Sequence, residues 1–173
     1  QINHATPASF IAHDPARRNY DAIADDFFDN RVHGKPVADL MLGGGTQYFI
    51  RKDRNLVEQF KSEGYQYADN WDGLRQLNKL PAMALLAPEG FVSTIDNPEP
   101  APLKQMTEKA LQLMSGSEKG FVVMIEGSQI DWCGHANDVA CAMAEMRDFA
   151  ESIKVAKAYV DSHPDTLLVI TAD

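Results

Sequence analysis

The sequence predicts an α/β fold, and three observations carry that prediction. Residues 120–125 and 166–171 are short, continuously apolar runs, the pattern of strands buried on both faces of a parallel sheet. Residues 139–160 between them read as one long helix, the crossover that a parallel pair requires. Residues 37–42 form another short apolar run that ends in Gly43-Gly44-Gly45, which reads as a buried strand closed by a tight turn.

The remaining elements follow in chain order. Residues 7–12 read as the first turns of a helix with Pro7 early, where proline is tolerated. Residues 19–28 continue in helical spacing through Tyr20, Ile23, Ala24, Phe27 and Phe28. A helix over 56–63 places Leu56, Val57 and Phe60 on one face and stops at Gly64. Residues 65–68 suit a strand, 71–77 a short helix and 82–87 a compact apolar run. Pro98, Pro100 and Pro102 make 95–102 an extended connection, after which 103–114 is strongly amphipathic through Leu103, Met106, Ala110, Leu111, Leu113 and Met114. The methionines at 106, 114, 143 and 146 fall at helical spacing and read as core. No internal repeat interrupts this order, so residues 1–173 are expected to form one domain.

Composition narrows the function. Hydrophobic residues make up 45% of the chain and charged ones 24%, ordinary for a globular protein. The net charge of −9 argues against a nucleic-acid partner, which calls for clustered Lys and Arg. It leaves a phosphate site open, because bound metal ions reverse the local field. No run is long enough to span a membrane, and residues 1–19 lack a basic start followed by an apolar stretch. Gln1 is not a Met and Asp173 directly follows an apolar run, so both ends read as cuts within a longer polypeptide. Cys133 and Cys141, eight residues apart, read as free thiols in or near a helix.

The string Glu126-Gly127-Ser128-Gln129-Ile130-Asp131-Trp132-Cys133-Gly134-His135 packs two carboxylates and an imidazole behind an expected strand. Carboxylate and imidazole together suit zinc, and carboxylates alone suit magnesium. Asp173 adds a carboxylate at the end of the second expected strand. Ligands in such sheets bind beyond the carboxyl ends of the strands, where Glu126 and Asp173 would sit.

The pattern E-G-x-x-I-D-x-x-x-H, a long helix and a strand ending in T-A-D resembles the alkaline phosphatases. His4-Ala5-Thr6-Pro7-Ala8 is similar to another segment of that family, and Arg17 follows His4 by thirteen residues, where the family keeps its phosphate-binding arginine. Trp132, directly after Asp131, resembles marine and cold-adapted bacterial members.

The resemblance implies a three-layer α/β/α sandwich with a largely parallel central sheet, incomplete over these residues. It implies two zinc ions and one magnesium per active site. Asp131 and His135 would bind one zinc, Asp173 the other, and Glu126 with the Thr6 hydroxyl the magnesium. His4 would lie at the magnesium site, where some members carry Asp. Arg17 would grip two phosphate oxygens with its planar guanidinium, and Trp132 would lie near the phosphate. The implied reaction is hydrolysis of phosphate monoesters through a phosphoserine, in a homodimer exported from the cytoplasm.

The nucleophilic serine of that family lies before the segment that matches Gln1, and neither Ser9 nor Ser128 has its setting. Catalysis is therefore expected of a longer polypeptide. Phosphodiesterases, sulfatases and phosphoglycerate mutases of the same superfamily differ at the H-A-T-P-A segment and Arg17; a non-catalytic metal-binding domain is the remaining alternative. Gly43-Gly44-Gly45-Thr46 lacks the Gly-Lys-Ser/Thr of a nucleotide loop and reads as a strand-end turn. His13, His33 and His163 read as surface or helix-end residues.

Overall fold

Paired strands occur in the first half of the chain, where short apolar runs alternate with turn signals. The computed structural model describes residues 1–172, which fall into two compact units, Gln1–Phe91 and Val92–Asp173. The first contains α1 (Ala5–Ser9), α2 (Tyr20–Asp29), β1 (Arg31–Val32), β2 (Lys35–Pro36), β3 (Leu40–Gly43), α3 (Thr46–Phe49), α4 (Leu56–Ser62), β4 (Gln66–Ala68), α5 (Trp71–Gln76) and β5 (Ala82–Leu85). β1 and β2 form a small antiparallel hairpin.

β3, β5 and β4 form a parallel sheet in that order, with Ala82 opposite both Leu40 and Gln66. All four residues of the central β5 are buried, as its continuous apolar run requires. Helix starts follow their capping residues. Asn55 Oδ1 accepts from Glu58 N at 3.1 Å and Asn70 Oδ1 from Gly73 N at 2.8 Å, closing orphan donors of α4 and α5. α1 starts earlier than expected, directly after His4, so Pro7 stands within its first turn, where no backbone N–H is needed.

The core of this unit is aromatic. Phe27 meets Phe49 edge-on at 5.8 Å, and Phe60 meets Phe28 at 5.0 Å and Tyr65 at 4.9 Å. Burial pushes the Tyr65 hydroxyl up to about 12, while that hydroxyl donates to Ala38 O at 2.9 Å.

The second unit is built from α6 (Pro102–Met114), α7 (Gln129–His135) and α8 (Val139–Ser162). The helices over 103–114 and 139–160 are present nearly at their expected bounds. The strands expected over 120–125 and 166–171 are not: among the described residues neither segment has a ladder partner. Val122 is 91% exposed and Leu167 83%. An apolar run supplies the preference for a strand, but a strand exists only when another pairs with it.

The core of α8 also corrects the expectation for its methionines. Met106 and Met114 of α6 are buried, whereas Met143 and Met146 of α8 are exposed. The buried stripe of α8 is Glu145, Asp148, Ser152 and Ala156, a helical repeat that leaves 143 and 146 on other faces. Its two carboxylates accept from neighbouring segments, while the Ser152 hydroxyl donates to Asp148 O within α8. Asp148 carboxylate oxygens accept from Leu103 N at 2.9 Å and Lys104 N at 3.1 Å, closing the start of α6, whose own N-cap position is Ala101. Glu145 accepts from Thr94 N in the same way.

Candidate functional site

Residues 129–135, given no element of their own by the sequence pattern, form the short helix α7. Helical geometry puts Asp131 and His135, four apart, on one face. Their Oδ1 and Nε2 atoms stand 3.5 Å apart, with both side chains more than half exposed. Two donors held about 2.1 Å from a tetrahedral zinc ion stand about 3.4 Å apart. The pair thus matches one edge of a zinc coordination shell, with the open side left for further ligands. Among the described residues no three His, Cys, Asp or Glu side chains converge. Glu126 is partly buried just before α7, and Trp132 is exposed on α7 beside Asp131. Asp173 lies outside the described residues.

Local chemistry fixes α7. A side chain at Gly127 would crowd Phe149 of α8 and Ile130, with its Cβ 3.0 Å and 3.1 Å from those side chains, so α7 is approached closely at this glycine. Asn137 takes φ +55 in the connection to α8, and Asp138 caps α8 by accepting from Cys141 N at 3.0 Å. Cys133 and Cys141 are joined as a disulfide, with Cα atoms 5.5 Å apart, which corrects the expectation of free thiols. Their spacing alone did not reveal the pairing, because the turn at 136–138 folds α8 back against α7. The Asp138 cap was legible in principle, as an Asp directly before a helical run.

In the first unit, the segment that carries His4 and Thr6 is seated at the carboxyl end of β3. Ile2 N donates to Gly44 O at 3.0 Å. Asn3, fully buried, donates through Nδ2 to Tyr20 O at 2.9 Å, and Gly45 at φ +119 brings its backbone against the Asn3 amide. Gly45 N and Thr46 N both donate to Ala87 O, so the glycine run is a strand-end turn, as expected. Asn3 was missed from sequence; only its place beside His4 hinted at it.

Thr6 is partly exposed in α1, and the His4 ring stacks on Tyr20 at 5.8 Å. Arg17 and Arg18 are exposed in a loop organised by Asp14, whose Oδ1 accepts from Ala16 N and Asn19 Nδ2, each at 2.8 Å. Neither arginine has an ion pair among the described residues, so the Arg17 guanidinium is available to an anion. His163 ends α8 stacked on Tyr159, and His13 and His33 are exposed, in line with their sequence reading.

A family model described as alkaline phosphatase matches residues 1–173. The chain belongs to the alkaline phosphatase family. Alkaline phosphatase 3 of Bacillus subtilis is 45% identical over 174 residues, which cover 100% of this chain and 38% of that protein. The cold-active alkaline phosphatase of a psychrophilic Shewanella superposes with a TM-score of 0.86 at 44% identity, over 96% of this chain and 39% of that one. A variant of the alkaline phosphatase from the Antarctic bacterium TAB5, solved with magnesium in its M3 site, gives 0.80 at 31% identity, over 94% of this chain and 46% of that one. The fold is thus the α/β fold of alkaline phosphatases, and the chain spans less than half the length of these relatives.

Proposed function

We propose that the protein carrying this chain hydrolyses phosphate monoesters to alcohol and inorganic phosphate in a metal-dependent reaction through a phosphoserine, its serine supplied from outside these residues. The observation that carries this reading is the Asp131–His135 pair, spaced for one zinc ion on a single helix face. Family membership and the magnesium in the TAB5 relative support it.

In this reading Asp131 and His135 hold one zinc, Asp173 the second, and Glu126 and the Thr6 hydroxyl a magnesium, with His4 near that ion. Bound zinc supplies Lewis acidity to the oxygens that enter and leave phosphorus. The work of this chain is then positional. α7 presents the carboxylate and imidazole on one face, and the Arg17 guanidinium holds two phosphate oxygens where charge is spread at the transition state. Trp132 borders the phosphate. Residues 1–173 form part of one phosphatase domain, in a homodimer outside the cytoplasm. The disulfide supports that location, since such bonds persist where thiols are not kept reduced.

The test is hydrolysis of p-nitrophenyl phosphate at alkaline pH by the complete protein. Chelation should abolish turnover and zinc with magnesium restore it. Asp131→Ala and His135→Ala should each lower kcat/KM by at least about a hundredfold. Undiminished activity in metal-free protein, or near-normal rates in both variants, would refute the reading.

A further inference from the structure

Cys133 lies between the two proposed zinc ligands in sequence but faces the other way. Two residues along a helix is a rotation of about 200°, so Asp131 and His135 share one face while Cys133 points to the opposite side. Burial agrees: Cys133 is the one buried residue of α7, at 3% exposure, and the two ligand side chains are 58% and 82% exposed. The disulfide from that buried position reaches Cys141 in the first turn of α8.

α7 has only seven residues and includes Gly134, so it holds little helix on its own. Its carboxyl end also carries local backbone bonds, Ala136 N to Trp132 O, Asn137 N to Gly134 O and Asp138 N to Cys133 O, each at 3.0 Å. α8, in contrast, runs for 24 residues and is locked to α6 and to Thr94 through Asp148 and Glu145. The disulfide therefore ties a marginal helix that bears ligands to a firm one.

We propose that Cys133 and Cys141 are positioning residues for zinc: their disulfide holds α7 so that Asp131 and His135 stay at ligand spacing, and its reduction weakens zinc binding at that pair. This rests on the zinc reading of Asp131 and His135 given above. The reductant is a dithiol. One of its thiolates attacks Sγ of the partly exposed Cys141, the S–S bond breaks, and Cys133 leaves as a thiolate that takes up a proton. The second thiolate of the reductant then displaces Cys141, which takes up the other proton, and the reductant departs as its own disulfide. Two electrons pass from reductant to protein.

The experiment measures zinc affinity of the complete, metal-stripped protein by competition with a chromophoric chelator. Four forms are compared: oxidised, dithiol-reduced and desalted, the Cys133→Ala/Cys141→Ala double variant, and oxidised Asp131→Asn. Loss of the disulfide should weaken zinc binding at the Asp131 site by about ten- to a hundredfold, the range for supports that lie outside the ligands. Helix content by circular dichroism should stay unchanged, and reoxidation of the reduced protein should restore the affinity. Hydrogen exchange of residues 129–138 should quicken on reduction, which serves as the readout if the double variant does not fold. Equal affinity with and without the disulfide, or tighter binding on reduction because thiolates have become ligands, would overturn the proposal. Unchanged affinity in oxidised Asp131→Asn would instead overturn the zinc reading itself.

Discussion

The two units differ in what their buried faces carry. In Gln1–Phe91 the apolar runs find partners: β5 lies between β3 and β4 with every residue buried, and aromatic rings close the core around Phe60. In Val92–Asp173 the runs at 120–125 and 166–171 have no strand partner among the described residues and are partly exposed, and the most buried face of α8 carries Glu145, Asp148 and Ser152. The first unit is ordered chiefly by removing apolar surface from water; the second also buries the apolar face of α6, and adds carboxylates that accept from backbone N–H groups of neighbouring segments.

The contrast can be broken most sharply at Phe60. Phe60→Ala should cost about 3–5 kcal/mol, read as a lower urea midpoint, since it empties the ring cluster. A loss below about 1 kcal/mol would mean the aromatic core is not what orders this unit. Tyr65 sharpens the same point through pH. Its folded value near 12 lies above the ordinary 10, so the protonated hydroxyl is the form favoured by folding. That contribution is complete below pH 10 and lost as pH rises towards 12, a fall of roughly 2–3 kcal/mol. Urea titrations from pH 9 to 12 should show the advantage of wild type over Tyr65→Phe shrinking with pH; a constant gap would disprove the linkage.

In the second unit the corresponding residue is Asp148. Asp148→Ala should cost about 1–2 kcal/mol and speed amide exchange at Leu103 and Lys104, because two partly buried donors lose their acceptor. Unaltered exchange there would show that α6 does not depend on this cap. The smallest effect is expected at the exposed Lys157–Asp161 pair on α8, where Lys157→Ala should change stability by about 0.5 kcal/mol or less. A larger shift would mean that surface charge, not only buried carboxylates, orders α8.

Most of the helices were legible because their signals are local. Asn55 and Asn70 mark starts, Gly64 marks a stop, and the apolar stripe of 103–114 faces one way. Local signals failed where a neighbour decides. α7 has no clear sequence signal because seven residues with an internal glycine carry weak helical preference, and the polar stripe of α8 gives no warning that Asp148 caps another helix. Of the candidate site, the residue types of Glu126, Asp131, His135 and Arg17 were readable and suggested metal and phosphate chemistry. The 3.5 Å spacing of Asp131 and His135 was not, because it depends on the 129–135 segment being helical.

What the sequence by itself determined is family membership, the α/β class and which residue types stand at the candidate site. Motif order and the local capping and periodicity codes are contained in the chain. Tertiary structure alone decided which apolar runs become strands, that Cys133 pairs with Cys141, and that a carboxylate of α8 closes α6. Each of these joins groups separated along the chain, and no single segment encodes both halves of such a contact.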